Sequence, residues 1–202
     1  TVGINMLEAR RSEKDFLLRF DMKYPALVKD KVESIHAILA KTEEMVQQAG
    51  DQEKLARLKK MDANMDVYLD SFNELVEAWV KKGLDQNSGL RGSMRDRVHD
   101  VEAVAKTFDL ERIKISLLEI RRHEKDFLLR NDNKYVQKLN DEIVHFKEMV
   151  AKSGLEDAQK TLLLEKIEAY GKSFTVAAKE GKSTTGLGTE YRELSHDIEG
   201  YI

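Results

Sequence analysis

Apolar residues recur along most of the chain at intervals of three and four, the spacing that lines one face of a helix and not one face of a strand. Leu75, Val76, Trp79 and Val80 follow it, as do Met94, Val98 and Val101. The punctuation between such stripes predicts four helical stretches in the first half. A runs from about Val2 to Met22. B runs from Pro25, a first-turn position that suits proline, to about Gln48. Gly50 reads as a C-terminal cap and Asp51 as the cap of C, which continues through Lys82. GLDQNSGLRG then reads as a loop before D, from Ser93 to about Lys106.

The second half repeats the first. EARRSEKDFLLRFDMKY, Glu8 to Tyr24, returns as EIRRHEKDFLLRNDNKY, Glu119 to Tyr135, an offset of 111 residues. Glu44, Met45 and Val46 match Glu148, Met149 and Val150 at an offset of 104, a loss of seven residues that leaves a helix face in phase. Tyr68, Ser71 and Phe72 match Tyr170, Ser173 and Phe174, and GLRGSMRDRVHDVE from Gly89 matches GLGTEYRELSHDIE from Gly186. Gly154 takes the place of the B to C tip, and GKSTTGLG that of the loop before the last helix.

Chain lengths on either side of the Gly50 and Gly154 tips are nearly equal. They suggest one long helical hairpin per copy, with arms of about 70 Å at about 1.5 Å per residue. The expected architecture is all-α: two stacked four-helix bundle modules formed by a tandemly duplicated long helical hairpin. One module would take residues 1–22, 88–132 and 186–202, the other residues 23–87 and 133–185. The chain would reverse near Thr107 to Glu111, with Asp109 a cap. The competing arrangement is an unbroken helix from about Ser93 to Arg130 joining two bundles.

Composition narrows the class further. With 1 Pro and 11 Gly among 202 residues, 7% aromatic and 35% charged, the chain is poor in strand formers. Lys and Arg number 34 against 37 Asp and Glu, so no basic surplus points to nucleic acid. The absence of cysteine excludes disulfides, thiolate metal sites and a cysteine nucleophile. No apolar run reaches the length of a membrane span. The opening Thr suggests an excised fragment, which leaves room for flanking membrane segments outside it.

Charge is concentrated where the stripes break. In the first A helix Ile4 and Leu7 are followed by Leu17, Leu18 and Phe20, and the positions i+3, i+4 and i+7 from Leu7 are Arg10, Arg11 and Lys14. The second copy repeats the gap with Arg121, Arg122 and Lys125 between Leu117, Leu118 and Phe127. On the D helices, Arg95, His99 and Glu102 share a face, as do Arg192, His196 and Glu199. Antiparallel A and D that reverse near residue 107 would bring Arg10 and Arg11 level with Arg95 or Asp96. Several guanidinium groups in one half-buried tier need anions. These could be internal, with Glu13 i+3 from Arg10 and Asp15 i+4 from Arg11, or an external carboxylate held by guanidinium forks.

Asp96 with His99 and Glu193 with His196 have acid-x-x-His spacing, which with Glu8 or Glu119 is the pattern of a carboxylate-bridged metal or redox site. A dication would be disfavoured beside so many arginines, so no metal or other cofactor is expected. GLRG and GLGT lack the context of a phosphate loop. Nothing in the sequence makes a case for catalysis.

The repeated RRxEKDFLLRxDxKY, followed by GLxxxxRxxxHD, resembles the extracytoplasmic helical bimodular sensor domains of bacterial chemoreceptors, with related domains in sensor histidine kinases. The resemblance implies two stacked four-helix modules between membrane helices, periplasmic location and an attached cytoplasmic signalling domain. It also implies a small organic-acid ligand bound through arginines, and a helix displacement passed to membrane helices needs a fixed partner for reference, so a homodimer is expected. Carried onto this chain, the ligand residues are Arg10, Arg11 and Arg192, with Arg121, Arg122 and Arg95 as duplicates. Lys14, His99, Lys125 and His196 complete the candidate set.

Overall fold

The computed structural model describes the backbone of residues 1–107 and 111–199, and their side chains except those at 107, 182–185 and 187–199. Among the described residues the chain is helical with no strand: α1 Val2–Arg19, α2 Lys23–Ala49, α3 Gln52–Lys82, α4 Gly89–Thr107, α5 Glu111–Arg130, α6 Asn133–Lys152 and α7 Asp157–Glu199. They gather into two compact units. Unit 1 comprises Thr1–Trp79 with Thr184–Ile202, and unit 2 comprises Val80–Ser183.

In unit 1 the chain reverses after α1, where the sequence had suggested that A and B form one long arm. Phe20 adopts a left-handed backbone, φ 53°, and its N–H closes on the Phe16 carbonyl at 2.7 Å. Asp21 then accepts from the Lys23 N–H at 3.0 Å, starting α2 with Pro25 in its first turn. Glu8 of α1 meets Lys31 of α2, residues a continuous helix would hold about 35 Å apart. The second reversal is the expected one: Gly50 at φ 76° ends α2, and the Asp51 carboxylate accepts from the Lys54 N–H at 3.1 Å to begin α3. Val28, Val32, Ile35 and Leu39 of α2 are buried with Met65, Tyr68, Phe72 and Leu75 of α3. Each such side chain contributes about 1.5–3 kcal/mol by leaving water.

Unit 2 repeats the device. Asn131 stands where Phe20 stands, with φ 50°, and Asp132 accepts from the Lys134 N–H as Asp21 does from Lys23. α5 therefore reverses into α6, and α6 into α7 around Gly154. α4 lies against α5, since Arg121 Nε approaches Glu102 Oε1 at 3.8 Å. An unbroken helix would separate those residues by about 28 Å, which excludes that arrangement. Residues 108–110, including Asp109, lie outside the described set. One core runs from Met94, Val98 and Val101 through Ile120, Phe127, Leu139, Phe146 and Ile167 to Phe174.

Two further expectations change. GKSTTGLG forms no loop, because α7 continues through it to Glu199. Glycines cost a helix about 1 kcal/mol each against alanine without stopping it. The matching segment of the first copy does break, because it also carries turn formers: the Asp85 carboxylate accepts from the Asn87 N–H at 2.7 Å and the Ser88 hydroxyl from the Asp85 N–H at 3.1 Å. Helix α4 then starts at Gly89, four residues before Ser93. The stripe on α1 is also out of phase with the expected core: Ile4, Leu7 and Leu18 are exposed, and Met6, Ala9, Arg10, Glu13 and Phe16 face inward.

Candidate functional site

The repeated arginine motif builds the same internal constellation in both units. In unit 1 the buried Arg10 donates to Glu13 Oε2 at 3.0 Å, and Tyr68 of α3 donates to the same oxygen at 3.3 Å. Phe16 stacks edge-on against Phe72 one turn away, with ring centroids 5.9 Å apart. In unit 2 Tyr170 donates to Glu124 Oε2 at 2.7 Å, and Phe127 meets Phe174 at 5.5 Å. The acid answering Arg10 is thus internal, as the i+3 spacing allowed. Asp15 is taken by Arg19 and not by Arg11.

The two copies differ in their arginine. Arg10 is closed onto Glu13, whereas Arg121 stands 4.0 Å from Glu124 and 3.8 Å from Glu102, at the outer limit of ion pairing. Beside Arg121 lies a cavity of about 250 Å³ between α4 and α5. Arg91 and Arg95 line it from α4, and Arg121 and Lys125 from α5, four cations facing the single carboxylate of Glu124. Gln86, Met94 and Leu128 complete the wall. Among the described residues the buried Nε of Arg91 has no hydrogen-bond partner, and neither Arg95 nor Lys125 makes an ion pair. Such a cluster is the arrangement that draws an anion out of water.

Electrostatics around the cavity agree with this. Burial pushes the Glu124 carboxyl above its ordinary range, with Glu102 adding to the rise, while the Tyr170 hydrogen bond and the Arg121 and Lys125 charges pull it back. Burial, then the neighbouring Glu124 charge, raises the Tyr170 phenol well above its usual value. Lys82, at the end of α3, is lowered by burial and by the charge of Arg91.

The loop after α3 holds the α4 wall in place. Gly89 sits at φ 56° and Gly83 at φ 108°. At Gly92 a β-carbon would come within 2.3 Å of the Asn87 carbonyl oxygen. Arg91 is therefore presented between Gly89 and Gly92, two positions where the backbone is packed too tightly to admit a side chain.

The candidates named from sequence separate accordingly. Arg95, Arg121 and Lys125 meet at the cavity. Arg10, Arg11 and Lys14 belong to α1 of unit 1, and Arg95 belongs to unit 2. Arg11 and Lys14 are exposed there. Arg122 is exposed and paired with Glu119 at 3.1 Å, and His99 is exposed with Nδ1 3.1 Å from Glu102. The side chains of Arg192 and His196 lie outside the described residues. Among the described residues no group of three or more His, Asp or Glu side chains is placed to hold a metal ion, and no helix is long and apolar enough to cross a membrane. Arg91 and Gln86 were missed because their segment read as loop. The signal was present in the i, i+4 spacing of Arg91 and Arg95 next to three glycines.

The chain matches no protein-family model and no curated protein to a significant level.

Proposed function

We propose that this chain is the extracytoplasmic ligand-binding domain of a bacterial transmembrane chemoreceptor, and that it takes a small organic-acid anion into the α4–α5 cavity of unit 2. The observation carrying this reading is four cations around a void with one carboxylate among them. A carboxylate bound there completes the pairing that Arg121 makes only at long range and meets Arg95 and Lys125, neither of which is ion-paired among the described residues. It also changes the balance of forces between α4 and α5, and a displacement of one helix against the other is the signal passed to flanking membrane helices and a cytoplasmic signalling domain beyond this sequence.

A homodimer belongs to the same proposal. Ile4, Leu7 and Leu18 are 57, 70 and 76% exposed, and their duplicates Ile115, Leu118 and Leu129 are 56, 68 and 82% exposed. Both copies thus keep three large aliphatic side chains outside at coiled-coil spacing, which supports helix-to-helix packing with a second copy.

The test is thermal denaturation and calorimetric titration with a panel of small aliphatic acids, on the parent, on Arg95→Ala and on Arg11→Ala. An acid at about 100 times its Kd should stabilise the parent by about 2.7 kcal/mol. Arg95→Ala should abolish the shift and Arg11→Ala should keep it. Loss in Arg11→Ala alone, or no response to any acid, would overturn the reading.

A further inference from the structure

We infer that the cationic cavity is the head end of a longer groove, and that its ligand is an amphiphilic monoanion: a carboxylate carrying a hydrocarbon tail of roughly six to ten carbons. The inference rests on the anion-binding reading above and adds the class of ligand.

A second cavity, about 320 Å³, lies between the same two helices, lined by Glu102, Ala105 and Lys106 of α4 and Lys114, Leu117 and Leu118 of α5. Its wall is mainly hydrocarbon, since Ala105 and Leu117 form its floor and the lysines can offer their methylene stems. Glu102 lines the second and Arg121 the first, and these two side chains face each other at 3.8 Å. From Arg91 to Lys106 the groove follows α4 for about 22 Å.

The partition between the cavities is a weak one. Among the described residues Arg121 donates a hydrogen bond to neither Glu102 nor Glu124, and both separations exceed a hydrogen-bonding distance. A carboxylate among Arg91, Arg95 and Lys125 offers Arg121 a better partner, and turning toward it draws the guanidinium away from Glu102. Glu102 keeps His99, whose Nδ1 lies 3.1 Å from its other oxygen. The gap so opened leads from the charged chamber to the apolar one. A compact polyacid would satisfy the cations and leave Leu128, 38% exposed, and the apolar chamber in water. A tail attached to the carboxylate covers them.

Calorimetric titration of the parent with acetate, butyrate, hexanoate, octanoate and decanoate, each below its micelle concentration, holds the charge constant and varies the tail. Affinity should climb about two- to fourfold per methylene until the groove is filled. Ala105→Phe fills the apolar chamber and should return octanoate to the affinity of butyrate while leaving butyrate unchanged. Should that variant fail to fold, octanoate bearing a diazirine at its tail tests the same point on the parent: the crosslink should fall within residues 102–118. A flat series with Arg95-dependent binding of short acids, or a crosslink outside that stretch, overturns the amphiphile and leaves the anion site standing. No binding at any chain length overturns both.

Discussion

Replacing Glu124 by Gln removes the one carboxylate that faces the cations of the α4–α5 cavity while keeping an acceptor for Tyr170. Two effects on stability oppose each other. The attraction lost between Arg121 and Glu124 at 4.0 Å is on the order of 4 kcal/mol gross at an effective permittivity near 20. The desolvation relieved in a carboxylate only 6% exposed is several kcal/mol. Near neutral pH the variant should therefore melt close to the parent, within about 1 kcal/mol. Ligand affinity has no such compensation. An anion about 6 Å from a carboxylate loses about 2.8 kcal/mol at that permittivity, and screening by solvent and salt halves it, so Glu124→Gln should bind the anion about tenfold more tightly.

The pH dependence has a definite sign. The folded carboxyl of Glu124 is raised above its ordinary value, so the native state holds a proton that the unfolded chain has released. Its contribution to stability is complete below the ordinary carboxyl range and is lost as pH rises through the raised value. The bound anion also prefers the protonated form. Parent affinity should fall with rising pH across that window, while Glu124→Gln stays flat. Titration calorimetry between about pH 5 and about pH 8 at constant ionic strength measures both. A folded Glu124→Gln protein with unchanged or weaker affinity would refute the placement of the anion beside this carboxylate.

Tyr68→Phe deletes a buried hydrogen bond to Glu13 and should lower unfolding stability by about 1.5–3 kcal/mol in urea denaturation, with no change in ligand affinity. Gly92→Ala forces a β-carbon toward the Asn87 carbonyl oxygen at 2.3 Å, and calorimetry should show anion binding weakened at least tenfold because the Arg91 wall is displaced. Leu7→Glu combined with Leu18→Glu charges an exposed face, and sedimentation should show a shift from dimer to monomer with the melting temperature retained.

Much of the helical layout could be read from residue order. The Gly50 cap, the Asp51 start of α3 and the Gly154 tip all follow from local backbone chemistry that needs no tertiary contact. The reversal after α1 could not be read that way. Phe20 takes a left-handed conformation that no local rule assigns to phenylalanine, and its aromatic neighbours Phe16 and Trp79 come from packing. That hidden reversal also put the α1 stripe out of phase, because Arg10 and Glu13 are buried as a pair and Leu7 and Leu18 are not. Arg95, Arg121 and Lys125 were legible as a cationic interruption of the apolar pattern. Arg91 was not, since its position depends on glycine packing over a span too short to show a period.

The central claim is that a carboxylate lies between α4 and α5 of unit 2. Crystals of this chain soaked with a bromine-labelled aliphatic carboxylate would locate it by anomalous scattering. The account predicts a bromine peak in the α4–α5 groove with carboxylate density on Arg91, Arg95 and Arg121. A peak only on unit 1, or none at a concentration that saturates binding in solution, would contradict it.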